Sequence, residues 1–242
     1  MRQVGRGTVG GGTSPAADRL HGDCENYVDG KSHWEHVYRS KSADQVSWFE
    51  PVAAISFEWI REVAPALDSA IIDVGGGASR LADGLLAAGY ARVIVLDLSA
   101  AALLQAQRRL GSAASAVEWR EADILGADLP AAAYDVWHDR AVFHFLTDAA
   151  DRTRYVAQLR RAVRAGGHVI MATFAEHGPR RCSGLDVSRY SPAALQRELG
   201  ADFRLVESLQ HEHRTPAGAS QAFTYCLFRH EPARGYAGRS MA

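Results

Sequence analysis

Lysine is almost missing from this chain: of 27 basic residues only Lys31 and Lys41 are lysine. The Arg excess comes with many Ala residues, which is a composition bias and carries no functional weight. Long apolar runs are also missing, which excludes a stretch of about 18 residues able to cross a membrane. Cysteine is scarce, at Cys24, Cys182 and Cys226, and no Cys-x-x-Cys occurs. That odd, widely spaced set excludes a disulfide framework or a zinc finger and makes a reducing cytoplasm the expected setting. Net charge is close to absent, with 27 basic and 28 acidic residues and a formal charge of -1. No global attraction to nucleic acid or anionic lipid follows. Met1 to Ser14 hold no apolar stretch, so they do not read as a secretory signal. What remains is 242 residues, 47% hydrophobic and 23% charged, enough for one soluble domain with a substantial core.

The organisation follows from where apolar residues cluster. Residues 1–25 are Gly-rich and read as a disordered tail, and 231–242 as a second tail. Residues 26–230 read as one domain. Its first part, about 33–63, carries an aromatic-rich segment: a short helix at His33–Tyr38, an aromatic turn around Trp48 and Phe49, and a helix at Val52–Val63. Then short apolar runs alternate with helical periodicity. Strands are predicted at 70–74, 92–96, 117–122, 134–137 and 168–174. Helices are predicted at 79–89, after Ser99 as N-cap to Leu110, and at 151–164, with Gly166 and Gly167 as its stop. Alternation of this kind predicts an α/β fold with a mostly parallel sheet and helices on both faces. Two further strands, 203–209 and 223–228, predict an antiparallel pair at one sheet edge.

In such a sheet, ligands bind beyond the carboxyl ends of the strands. The first strand ends in Asp73-Val74-Gly75-Gly76-Gly77-Ala78-Ser79. The dinucleotide fingerprint Gly-x-Gly-x-x-Gly fails in both registers, and Asp73 would meet a pyrophosphate with like charge. A cationic ligand group fits better. The second strand ends in Asp97, placed to accept ribose hydroxyls. The third ends near Asp123, placed to accept from an exocyclic amine. An acid at each of three successive strand ends reads as a site for an amine or cation, a ribose and an adenine.

With those residues the sequence resembles the class I S-adenosylmethionine-dependent methyltransferases, of the small-molecule or lysine-type branch. Their acid-x-Gly-x-Gly-x-Gly turn is matched at Asp73, Gly75 and Gly77, with Ser79 in place of the last glycine. Their Leu-Arg-Pro-Gly-Gly stretch is matched by Val163-Arg164-Ala165-Gly166-Gly167. The resemblance covers about residues 33 to 230. It implies a Rossmann-like methyltransferase fold, S-adenosylmethionine as cofactor and an N-terminal lid over about 33–63. It implies cofactor contacts at Trp48, Asp73, Gly75, Gly77, Asp97, Leu98, Asp123, Ile124 and Asp139, and no metal.

The acceptor side is read from Asp139-Arg140-Ala141-Val142-Phe143-His144, expected as a loop after the fourth strand. Arg140 either holds an anionic acceptor or pairs with an acid. His144 is either a general base or a packing residue. The loop 176–185 is expected as an acceptor wall; His177 and Cys182 within it do not form a metal motif. The expected acceptor is a small molecule, by thiol, amine or oxygen, with a protein lysine as the alternative. A cofactor-binding regulator without turnover is the reading from another class. Nucleic acid is disfavoured by the charge balance. The sequence does not set the oligomeric state.

Overall fold

The structure is a computed structural model and describes residues 30–232 together with Met1. The rest of the tail expected at 1–25, Cys24, and residues 233–242 of the tail expected at 231–242 lie outside the described residues. The chain opens with α1 (Gly30–Ser40), a 3₁₀ turn at Ala43–Gln45 and α2 (Ala54–Val63). The alternating part follows: β1 (Ala70–Val74), α3 (Leu81–Ala87), β2 (Arg92–Asp97), α4 (Ala100–Leu110), β3 (Val117–Glu121), β4 (Tyr134–Arg140), α5 (Ala149–Ala162) and β5 (Val163–Phe174). A small hairpin, β6 (Arg181–Cys182) and β7 (Leu185–Asp186), leads to α6 (Pro192–Leu199), β8 (Phe203–Arg214) and β9 (Ser220–His230).

Seven strands form one sheet in the order β3-β2-β1-β4-β5-β9-β8. The first five are parallel; β9 runs antiparallel to β5, and β8 antiparallel to β9. The inner strands β1 and β2 are buried on both faces, which is why each reads as a nearly unbroken apolar run, whereas β3 at the edge is partly exposed. Successive residues divide between two cores. Ile71, Val95, Val136 and Ile170 pack with α2 and α3 on one face. Ile72, Leu96, Trp137 and Met171 pack with α5 and α6 on the other. Each such side chain, fully buried, contributes about 1.5–3 kcal/mol.

Local signals set the helix ends. The Ser99 hydroxyl accepts from the Ala102 amide at 3.2 Å and caps α4. The Asp148 carboxylate does the same for α5, accepting from Ala150 at 2.6 Å. The expected helix at 151–164 leaves the helical path at Ala162, before the glycines, because Val163 already pairs with Tyr134 of β4. The fourth strand is longer than expected and carries Asp139 and Arg140 within it. Helix α6 and the β6–β7 hairpin were not anticipated.

Candidate functional site

The pleat decides which polar residues meet. Asp73 and Asp97 share the face of Ile71 and Val95, and His138 and Arg140 share it with Val136. All four therefore emerge at the carboxyl ends of β1, β2 and β4, under the N-terminal segment. The cleft between them is lined by Tyr38, Trp48, Phe49, Asp73, His138 and Arg140 and encloses about 50 Å³.

The glycine turn after β1 brings the backbone close to both acids. Gly75 has φ +68, and an added Cβ would stand 2.0 Å from Val142 Cγ2, so no other residue fits there. At Gly76 an added Cβ would stand 2.5 Å from Asp73 Oδ2. The turn is fastened from behind by Arg109 of α4, which donates to the carbonyls of Ala78 and Ser79 at 2.9 and 2.6 Å.

Asp73 Oδ1 accepts from His138 Nδ1 at 2.6 Å, while Asp73 Oδ2 is shut off from solvent and accepts nothing. Asp97 is buried and accepts from the Ser99 amide at 2.8 Å. Burial pushes its carboxyl up to about 7; the Ser99 bond pulls it back, and Asp73 and Glu35 add repulsion. Leu98 follows directly on this acid. Asp123 is exposed and accepts from the Leu125 amide at 2.9 Å, with Ile124 buried beside it.

The N-terminal segment covers this row. Glu35 of α1 accepts from Ser99 Oγ and the Ala101 amide, each at 3.2 Å. Lys31 reaches Glu121 at the end of β3, at 2.6 Å. Gln105 of α4 donates to the carbonyls of Tyr38 and Lys41. Trp34 meets Trp48 and Phe145 edge to face, and Trp48 Nε1 donates to the Tyr38 hydroxyl at 3.1 Å. The β6–β7 hairpin leans on the same segment through Ser183 and His33, 3.2 Å apart. Cys182 is buried behind it, its thiol pushed up to about 11 by that burial.

Three of the expected site residues take other roles. Asp139 lies on the opposite face of β4, fully buried, and accepts from the Val142 and Phe143 amides and the Tyr155 hydroxyl. Its oxygens are thus turned into the core and away from the cleft. Burial raises its carboxyl to about 6, against the pull of Tyr155 and the amides. Arg140 does border the cleft, but its donors go to protein: Tyr225 hydroxyl at 3.0 Å, Trp48 carbonyl at 2.9 Å and Glu50 at 2.9 Å. Its guanidinium also lies over the Phe223 ring at 4.6 Å. Of its two expected uses, pairing with an acid is the one present. His144 is fully buried between Phe145 and Phe174, and its Nδ1 accepts from the Phe174 amide at 3.3 Å. Burial, with the charge of Arg140, pulls it down to about 3, which removes the basicity a general base needs near neutral pH.

Sequence reasoning missed His138, Ser56, Glu50, Glu35 and Tyr225. The spacing of β1 and β4 along the chain carries no register, so the pairing of Asp73 with His138 was not readable. Alternation along Val136-Trp137-His138-Asp139-Arg140 would have separated Asp139 from its neighbours. Among the described residues no cluster of three or more His, Cys, Asp and Glu side chains stands ready to hold a metal ion. Nor is any described helix long and apolar enough to cross a membrane.

These residues fit an S-adenosyl ligand. The buried Asp73 oxygen lacks a donor that a ligand cation would supply, the glycine turn keeps the backbone bare for close approach, and Asp97 stands where a ribose diol would donate. Comparison with known proteins agrees. Residues 71–167 match the family described as Methyltransferase domain. An uncharacterized methyltransferase of Mycobacterium tuberculosis is 35% identical over 116 residues, 46% of this chain and 54% of that protein. A ubiquinone biosynthesis O-methyltransferase of Ralstonia nicotianae is 33% identical over 135 residues, 54% of this chain and 55% of that protein. The chain thus spans about half the length of the curated relatives it matches. The N-methyltransferase NodS of Bradyrhizobium japonicum, solved with S-adenosylhomocysteine, superposes with a TM-score of 0.64 at 18% identity, over 82% of this chain and 98% of that one. Sheet order, acidic strand ends and sequence matches converge on a methyltransferase-like fold, with residues 71–167 matching the Methyltransferase domain family.

Proposed function

We propose that the protein transfers a methyl group from S-adenosylmethionine to a small-molecule acceptor through a thiol, amine or oxygen. The observation that carries this reading is the buried Asp73 oxygen without a donor, set beside the glycine turn and one strand from Asp97. When bound, the cofactor supplies an electrophilic methyl on a sulfonium sulfur, open to in-line displacement.

The chain's own residues then have simple tasks. Asp73 takes the ammonium of the amino-acid tail. The Gly75–Gly77 turn lets that tail lie against the backbone. Asp97 accepts from the ribose, Leu98 and Ile124 flank the base, and Asp123 accepts from its amine. Trp48, with the aromatic cover formed by Trp34 and Phe145, excludes water from the methyl and offers aromatic faces to the sulfonium. The rate then comes from alignment and dryness rather than from a base. An acceptor that is already nucleophilic suits a site in which His144 holds no usable proton affinity.

A small acceptor suits a cleft roofed by Tyr38, Trp48 and Phe49. The Ralstonia nicotianae relative, named for ubiquinone biosynthesis, supports the same class. The test is calorimetry with S-adenosylhomocysteine, then a screen of thiols, amines, phenols, carboxylates and proteins, reading release of S-adenosylhomocysteine. Binding with turnover on a small acceptor is expected. Turnover on proteins alone would move the reading to the lysine-type branch, and binding with no turnover on any acceptor would favour a regulator.

A further inference from the structure

We propose that His138 is a positioning residue of the cofactor site: it orients Asp73 so that the free carboxylate oxygen receives the α-ammonium of the S-adenosyl ligand. This rests on the cofactor reading above and adds to it a residue that does not touch the reacting atoms.

The pair is set by the sheet. Asp73 and His138 are register partners across β1 and β4, with both side chains 3% exposed. A carboxylate only accepts, so His138 Nδ1 carries the proton in the 2.6 Å bond to Asp73 Oδ1. On the far side of the ring, His138 Nε2 lies 2.8 Å from Ser56 Oγ. Ser56 is itself buried in α2, so the ring is held through both of its nitrogens.

Asp73 is therefore held by one oxygen and bare at the other. Gly76 closes the bare oxygen on one side, where even a Cβ would stand 2.5 Å away. Asp73 lines the cleft, from which a donor would approach. A buried acceptor without a partner is destabilising, and a ligand cation arriving from the cleft removes that penalty.

The experiment uses calorimetry on the full chain with three probes: S-adenosylhomocysteine, its analogue with hydrogen in place of the α-amino group, and 5′-methylthioadenosine, which has no amino-acid tail. The parent is expected to prefer S-adenosylhomocysteine to the analogue by tenfold or more. His138→Asn keeps an N–H at the Nδ1 position and should retain most of that preference. His138→Leu should lose it to within twofold, with methylthioadenosine affinity unchanged in both variants. Preserved preference in His138→Leu overturns the proposal, and so does an equal loss for all three probes, which marks a merely structural role. Should His138→Leu fail to fold, Ser56→Ala leaves both ring nitrogens in place but frees the Nε2 side of the ring. It should lower the preference severalfold, and an unchanged preference overturns the proposal. A parent that binds methylthioadenosine but ignores the amino group refutes this inference alone. A parent that binds none of the probes refutes the cofactor reading as well.

Discussion

Replacing Asp97 by Asn should make the ligand-free protein more stable and the cofactor bind worse, with both effects depending on pH in a defined direction. Asp97 is buried and its carboxyl is raised from 3.8 to about 7, chiefly by that burial. Below about pH 4 the acid is protonated in both the folded and the unfolded chain, and it costs nothing. Between pH 4 and 7 the unfolded chain releases the proton while the folded one keeps it. Stability therefore falls as pH rises, by about 1.4 kcal/mol per unit. The full cost is about 4 kcal/mol and is reached above pH 7. Asn keeps an oxygen for the Ser99 amide and carries no charge, so it escapes that loss. Its new N–H₂ finds no sure acceptor beside Gly77, which returns roughly 1–3 kcal/mol. Urea unfolding at several pH values should thus show the variant gaining on the parent from pH 4 to 7, then holding level. In the same range the parent should bind S-adenosylhomocysteine more tightly as pH rises, because ribose hydroxyls favour the ionised acid. The variant should bind with little pH dependence and about ten- to a hundredfold more weakly, the worth of a hydrogen bond to a charged group. A stability gap that does not widen with pH, or parent affinity that falls as pH rises from 5 to 7, would refute the reasoning.

Three further outcomes are expected. Gly75→Ala should cost several kcal/mol in denaturant unfolding, since it combines a left-handed backbone with a Cβ 2.0 Å from Val142; a loss of about 1 kcal/mol, the usual cost of the backbone conformation alone, would show that the β4 turn yields. Arg140→Met removes the donor to the part-buried Glu50 and the Trp48 carbonyl and should cost about 1–3 kcal/mol, with Glu50→Gln milder; no measurable loss would mean the pair is not formed in solution. His144 should stay neutral from pH 8 down to about 4 when followed by NMR of its ring, and turnover should show no inflection from it; a titration near 6.5 would contradict the burial that pulls it to about 3.

How far the sequence could be read depended on whether a residue's meaning was local. Strands such as Ile71-Ile72 and Val93-Ile94-Val95 announce themselves because burial on both faces leaves no polar position. Ser99 and the glycines after β1 act within a turn of themselves, and both were legible. β8 was cut short at Leu209 because its outer half is an edge, alternating Glu, Gln and His with few apolar residues. Helix α6 was passed over although Ser191-Pro192 and Gly200 bracket it, since eight residues give little periodicity to weigh. Asp139 looked like a site residue because it sits between His138 and Arg140; pleating sends it to the other face. Ser56, Glu50 and Tyr225 join the site only through partners 82, 90 and 85 positions away, and no local pattern signals such a contact.

The way Arg140 is held has a consequence for biosynthesis. Ser47 and His213 bond across 166 positions, and Arg140 finds Tyr225 across 85. On a ribosome adding roughly 5–20 residues per second, the first partner waits on the order of ten seconds or more for the second. During that interval β5 shows a bare edge, because its neighbour β9 has not been made, and the aromatic cover around Trp48 lacks the hairpin that steadies it. High contact order of this kind slows folding and lengthens exposure of sticky surface. The nascent chain thus makes its glycine turn and acids first and its closing β8–β9 hairpin last.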